Sequence, residues 1–196
     1  LMGRFTDHLL FVSNYERRAY RKKVGEPRVS SSLVYNGLRA SEFEPVQTNR
    51  DAADLLYIGM MRDLKGPDIF IDAIARAEKA LARNLRAVMV GAGDDLPNYR
   101  AQAKRLGLGE RIEFLDPMPA RKAFALADLV VVPSRAEAMP YIVLETLAAG
   151  KPMIATAVGG IPEIFGPDTS ALVEPDPVEL GNRMVMALSD LDGYRR

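Results

Sequence analysis

From residue 54 onward the chain alternates short β-branched apolar runs with longer segments of helical period, each pair parted by Gly, Pro or Asp. That rhythm predicts βαβ units. The strands read as 54–59, 85–91, 111–115, 128–133, 152–155 and 171–174. Their runs are nearly continuous rather than alternating, as strands covered on both faces require, so the sheet is expected to be mostly parallel. Between them, 67–84 carries Ile69, Phe70, Ala73, Ile74 and Ala77 on one helical stripe, with Pro67 where a missing N–H costs nothing. Segments 99–106, 120–127, 141–149 and 178–191 read as helices in the same way. The expected fold is α/β: a doubly wound, Rossmann-like parallel sheet of about six strands flanked by helices.

The first fifty residues fall outside that count. They hold an apolar run at 9–12, a charged helix at 14–23 and a run at 33–35, and we read 1–40 as the remnant of another unit. Residues 41–53 are polar and acidic and suit a linker, leaving 54–192 as the main unit. Leucine rather than methionine at position 1 adds the expectation that the chain belongs to a longer protein.

Composition narrows the function classes. With 26 Lys plus Arg against 26 Asp plus Glu, the net charge is zero and no basic field exists to hold a nucleic acid backbone. Cysteine is absent and histidine occurs once, which removes disulfides, thiolate chemistry and His-based metal clusters, and fits a reducing cytoplasm. No run approaches the roughly 20 apolar residues of a membrane span, and no cleavable leader is visible. The basic cluster Arg17, Arg18, Arg21, Lys22 and Lys23 reads as a solvated helix face, with contact to the inner face of a membrane as the lesser alternative.

Ligands of open parallel sheets bind beyond the carboxyl ends of the strands, so the loops leaving 54–59 and 128–133 are the places to search. The first, Gly59-Met60-Met61-Arg62-Asp63-Leu64-Lys65-Gly66, brings two cations and two glycines to a helix entrance, a combination that favours a phosphate. Taken alone, an ordinary βα loop with solvated cations is the plainer reading. The second, Pro133 to Pro140, carries Glu137, with Glu145 about a turn and a half inside the following helix. The two carboxylates can reach separate parts of one elongated ligand, although a helix cap and a surface residue are the plainer readings. Gly91-Ala92-Gly93 is not a dinucleotide fingerprint, since its third glycine would fall at Leu96. Gly159 and Gly160 read as a tight turn, Pro162 and Glu163 as a helix start, and Met60, Met61, Met89 and Met153 as core.

The run from Ser134 through Glu137 to Glu145, followed by Ala148-Ala149-Gly150-Lys151-Pro152 and Val158-Gly159-Gly160-Ile161-Pro162-Glu163, resembles the signature of family 4 retaining glycosyltransferases of GT-B fold. Those enzymes carry Glu-x7-Glu in their C-terminal, nucleotide-sugar-binding domain. The resemblance extends in the same order through Lys65-Gly66, Val90-Gly91-Ala92-Gly93 and Leu108 to Leu115, covering roughly 54–175. Phe11 to Arg17 and Val34 to Gly37 look like the end of the family's N-terminal domain.

The resemblance implies a donor domain that binds a nucleotide-activated sugar, a UDP- or GDP-sugar, with no metal and no further cofactor. Such a domain serves polysaccharide or glycolipid synthesis and is inactive in transfer without the N-terminal domain of the same enzyme. Carried over residue by residue, Glu137 contacts hydroxyls of the donor sugar and Glu145 holds the ribose; Arg62 and Lys65 neutralise the departing diphosphate. The N–H groups of Tyr141 and Ile142 face the β-phosphate, Met139 lies in the loop beside it, and Met118 offers a backbone donor to the base. Gly59-Met60-Met61 replaces the family's Gly-Arg-Leu, which shifts the expectation from arginine toward Lys65. Glu137-Ala138-Met139-Pro140 replaces its glycine-rich loop. His8 reads as structural. A non-catalytic nucleotide-binding module and another GT-B enzyme, a phosphorylase or epimerase, are the alternative functions.

Overall fold

The computed structural model describes residues 6–166 and 171–194. The first five residues of the expected remnant and the segment 167–170 lie outside the described residues. Six parallel strands form the main sheet: β3 (Ala53–Ile58), β4 (Ala87–Val90), β5 (Ile112–Leu115), β6 (Ala127–Val132), β7 (Met153–Thr156) and β8 (Leu172–Val173). Their order is β5-β4-β3-β6-β7-β8, every neighbouring pair parallel. The chain therefore grows outward from β3 through β4 and β5, then returns to lay β6 on the other side. The connections after β3 and β6 diverge, and a crevice opens between them at the carboxyl ends of the two strands.

Alternation along the strands sends side chains into two cores, as the period of two requires. Leu55 and Tyr57 of β3, Met89 of β4 and Leu129 and Val131 of β6 face one layer, which is covered by α2 (Pro67–Leu81), α3 (Leu96–Arg105) and α7 (Pro177–Ser189). Leu56, Val88, Val90, Val130 and Val132 face the other, beneath α4 (Ala120–Phe124), α5 (Tyr141–Ala148) and α6 (Ile161–Phe165). The α2 stripe expected from Ile69, Phe70, Ala73, Ile74 and Ala77 is buried throughout. A short α8 (Leu191–Tyr194) closes the described chain.

Before the main sheet, β1 (His8–Phe11) and β2 (Ser30–Leu33) pair in parallel around α1 (Asn14–Val24). The His8 ring bridges the two strands through Ser30 Oγ (2.7 Å) and Ser32 Oγ (3.0 Å), a structural use of the single histidine. The basic face of α1 is partly engaged: Arg17 donates to Asn14 Oδ1, Arg21 pairs with Glu26, and Arg18 approaches Glu163. Among the described residues no helix is long and apolar enough to cross a membrane.

Several boundaries differ from the sequence reading. The second N-terminal strand lies over Ser30–Leu33, three serines and a leucine, rather than over the apolar run at 33–35, because the His8 bridges and the pairing with β1 select it. Helix α3 starts three residues early, at Leu96, with Pro97 in its first turn, and α4 stops at Phe124 so that Ala127 can enter β6. Residues 41–53 are not a free strap. A 3-10 turn spans Ala40–Phe43, Val46 and Asn49 donate backbone bonds to Ala149 and Ala125, and buried Lys151 reaches Thr48 Oγ1. Met61, Met89 and Met153 are core as expected, but Met60 is 50% exposed at the cleft mouth.

Candidate functional site

The crevice is a cleft of about 410 Å3 whose lining includes Tyr57, Gly59, Lys65, Met118, Ser134, Glu137, Tyr141, Ile142 and Glu145. An apolar cleft of about 340 Å3, walled by Met60, Val90, Gly91 and Pro117, adjoins it through Ile58, Gly59 and Met118. Six of the eight site residues expected from sequence thus meet in one place: Lys65, Met118, Glu137, Tyr141, Ile142 and Glu145. Two do not. Arg62 is exposed on the loop outside the cleft, and Met139 is buried, with its carbonyl accepting a bond from Asn36 Nδ2 at 2.7 Å.

Glu137 is held by donors. Lys65 Nζ bonds Oε1 at 2.7 Å and Oε2 at 2.8 Å, and Ser134 Oγ donates to Oε1 at 2.7 Å, in a side chain that is 8% exposed. Ser134 is fixed in turn by buried Thr156, whose hydroxyl donates to the Ser134 carbonyl at 2.6 Å. An ammonium has three donors. Two being spent on Glu137, one remains to face the cleft.

The two loops that flank the cleft are locked to each other. Arg135 N–H donates to the Leu64 carbonyl (2.9 Å), and its guanidinium grips Asp68 with both nitrogens (2.8 and 2.5 Å) and the Asp63 carbonyl (2.7 Å). Burial would raise the Asp68 carboxyl, but hydrogen bonding and charge from Arg135 outweigh it and hold it below the usual range. Gly66, at φ 67°, lies where a Cβ would sit 2.1 Å from the Pro133 carbonyl oxygen, so only glycine permits the approach.

Helix α5 begins after Pro140 with no side chain capping it, so its first N–H groups open toward the cleft with the positive end of the helix dipole. Glu145 lies on the same helix, half-buried. Burial first, and the charge of Glu42 second, push its carboxyl above the ordinary range. Tyr57, also lining the cleft, donates to the Met60 carbonyl at 2.7 Å, and burial keeps its phenol protonated. Among the described residues no three His, Asp or Glu side chains gather as a metal-binding group. A further cavity of about 380 Å3 opens at the opposite ends of β3 and β4, but its arginines are engaged, Arg111 by Glu78 and Arg86 by backbone carbonyls of residues 51 and 52.

Sequence reasoning did not assign Ser134, Asp68 or Arg135. Nor did it foresee that Glu163 accepts from Asn14 N–H (2.8 Å) and Tyr15 N–H (2.6 Å) at the start of α1. The Ser13-x-x-Glu16 spacing of a capping box was a readable signal for that helix start.

The sequence profile of the family described as Glycosyl transferases group 1 matches residues 52–190. The chain belongs to this family. The D-inositol 3-phosphate glycosyltransferase 1 of Catenulispora acidiphila is 38% identical over 161 residues, 76% of this chain and 38% of that protein. The chain spans about a third of the length of the curated relatives it matches. Among solved structures, Anabaena Alr3699/HepE in complex with UDP superposes with a TM-score of 0.80 at 22% identity, covering 98% of this chain and 57% of that one, a likeness of fold. The C-terminal domain of the glycosyl transferase group 1 protein LpcC from Francisella tularensis superposes at 0.68 with 27% identity, covering 81% of this chain and 91% of that one. The sheet is thus one Rossmann-like half of a GT-B fold.

Proposed function

We propose that this glycosyltransferase group 1 domain binds a nucleoside diphosphate sugar, a UDP- or GDP-sugar, and presents it for retaining transfer. The observation that carries the proposal is the convergence of Glu137, Glu145, Lys65 and the uncapped start of α5 on one cleft at the switch point of the sheet. Laid along that cleft, the ligand places its base against the apolar wall beside Met118, whose N–H is the one backbone donor between Pro117 and Pro119. Its ribose hydroxyls donate to Glu145, whose half-buried carboxylate they relieve. The diphosphate meets the N–H groups of Tyr141 and Ile142 and the remaining Lys65 donor, while Arg62 stays outside the cleft. The sugar hydroxyls meet Glu137, already oriented by Lys65 and Ser134.

As the glycosidic bond breaks, the diphosphate gains charge, so Lys65 and the α5 dipole stabilise the transition state more than the ground state and make a metal redundant. Transfer needs an acceptor held about 3 to 3.5 Å from the anomeric carbon by polypeptide across the cleft, the role we give to an N-terminal domain of which 1–40 is the end. In this division 41–53 links to a donor unit at 54–192, and the enzyme works in the cytoplasm, in contact with a membrane surface where its acceptor demands it.

Calorimetry with UDP, UDP-glucose, GDP and GDP-mannose tests the assignment. Glu145→Ala is expected to weaken a nucleoside diphosphate and its sugar form alike by about tenfold or more, and Glu137→Ala to weaken the sugar form selectively, each carboxylate being worth about 1.5 to 3 kcal/mol. EDTA should leave binding intact. Equal affinities for wild type and both variants overturn the reading.

A further inference from the structure

The start of α1 has its N–H groups satisfied by two different parts of the chain. Ser13 Oγ accepts from Glu16 N–H (3.0 Å) and the Glu16 carboxylate returns to Val12 N–H (2.8 Å), a local capping arrangement that leaves the N–H groups of Asn14 and Tyr15 open. Glu163, 149 and 148 residues further on, takes both, one with each carboxylate oxygen. Tyr35 OH approaches the same carboxylate at 3.5 Å and accepts from Asn14 Nδ2 at 3.0 Å.

The Gly159–Gly160 turn, which leads into the helix α6 that carries Glu163, is pressed against the backbone that carries Glu137. Gly160 N–H donates to the Glu137 carbonyl (3.2 Å). A Cβ on Gly159 would meet that carbonyl oxygen at 1.7 Å, and one on Gly160 would meet the Ala138 carbonyl oxygen at 1.9 Å and Ser13 Cβ at 3.0 Å. The next carbonyl, of Met139, accepts from Asn36, beside Tyr35. The Glu137 and Met139 carbonyls are thus hydrogen-bonded to, and the Ala138 carbonyl packed closely against, segments that adjoin Glu163 and its partners.

We infer that Glu163 is a positioning residue: by capping α1 from the far side of the interface, it clamps the N-terminal segment and the 159–160 turn around the loop that presents Glu137 to the cleft. The charge needed for the clamp is present, because hydrogen bonds from Asn14 and Tyr15 and the charge of Arg18 override burial and keep the Glu163 carboxyl below the ordinary range. The N-terminal segment, which buries no residue of α1, thereby reaches the Glu137 loop through the Glu163 carboxylate and the Asn36 side-chain amide. The significance given to Glu137 rests on the proposed function; the clamp itself is a property of the unliganded chain.

NMR on the whole chain without ligand tests it. In Glu163→Ala, amide exchange at Gly160 should accelerate at least tenfold, and relaxation dispersion should develop at Glu137, Ala138 and Met139, with β6 amides unchanged. Glu163→Gln should restore part of both, since an amide oxygen still accepts one bond, and Arg18→Ala should change neither. Asn36→Ala, which cuts the second hold, should produce dispersion at the same three amides and serves if Glu163→Ala does not fold. Faster exchange confined to Asn14, Tyr15 and Glu16, with the Glu137 loop unaltered, would mean a helix cap and nothing more. Loss of nucleotide binding with this coupling intact would instead remove the proposed function and spare the clamp.

Discussion

At one end of the cleft Glu137 sits among donors, two bonds from Lys65 and one from Ser134. At the other end Glu145 lies half-buried, and among the described residues no donor reaches its carboxylate. Both glutamates come from the same short stretch of chain, so the difference arises from what other loops bring to them. The β3 loop delivers Lys65 to the first, whereas the 3-10 turn at Ala40–Phe43 delivers only the negative charge of Glu42 to the second. A carboxylate satisfied in advance has a fixed direction and little left to gain. One buried without donors is unstable until hydroxyls arrive, so a ligand gains by relieving it.

The strongest way to break this contrast is Lys65→Ala, which strands a nearly buried carboxylate with Ser134 alone. Urea unfolding should show a loss of about 2 to 3 kcal/mol, and calorimetry a loss of UDP affinity but not of uridine affinity. Equal losses for the two ligands would make Lys65 structural. Next in size, Arg135→Ala should cost about 1 to 2 kcal/mol, discounted because both it and Asp68 are a third exposed. This effect depends on pH with a definite sign. The native Asp68 carboxyl lies below its unfolded value near 4, so its stabilisation is present above that value and is lost as pH falls through the lower native one. Stability curves of wild type and Arg135→Ala should converge in acid.

Glu145→Gln sharpens the other end. Because the native carboxyl is raised, its contribution is favourable below the unfolded value and is lost as pH rises through the native one. The variant should therefore be slightly more stable than wild type at pH 7, and the difference should vanish as pH falls below the ordinary glutamate range. It should also bind UDP more weakly. A variant that is less stable at pH 7 would show that Glu145 has a partner in the free protein. The smallest effect belongs to Glu42→Gln, which should move the Glu145 titration, followed by carboxyl carbon shifts, back toward the ordinary glutamate range, leaving the part due to burial.

Much of this was readable from residues alone, and for a common reason. The six strands and α2 announce themselves because burial on two faces demands unbroken apolar runs and a helical stripe. The Glu137 and Glu145 pair announced itself because the order of motifs around it is long. What was not legible depends on partners distant in sequence. Ser30 to Leu33 has no apolar signature and is a strand because His8 and β1 make it one. Asp68 looks like any first-turn acid until Arg135 is folded against it, and Glu163 looks like a helix start until its oxygens are found on another helix. Arg62 and Met139 adjoin the cleft in sequence, yet neither lines it, because a loop's neighbours in sequence need not share its direction.

The tight approach of Gly66 to Pro133 and of Gly159 to Glu137, with the Arg135 to Leu64 bond between them, has a consequence for anyone recombining this domain with its relatives. Segments 59–66, 133–140 and 157–163 are separate in sequence, but each shapes the backbone of the next to a tolerance smaller than one methyl group. A chimaera that imports the middle one meets a foreign surface at both others, one that imports either outer segment meets it at 133–140, and failure of any of them would say nothing about ligand preference. Exchanged together, the three behave as a single heritable part.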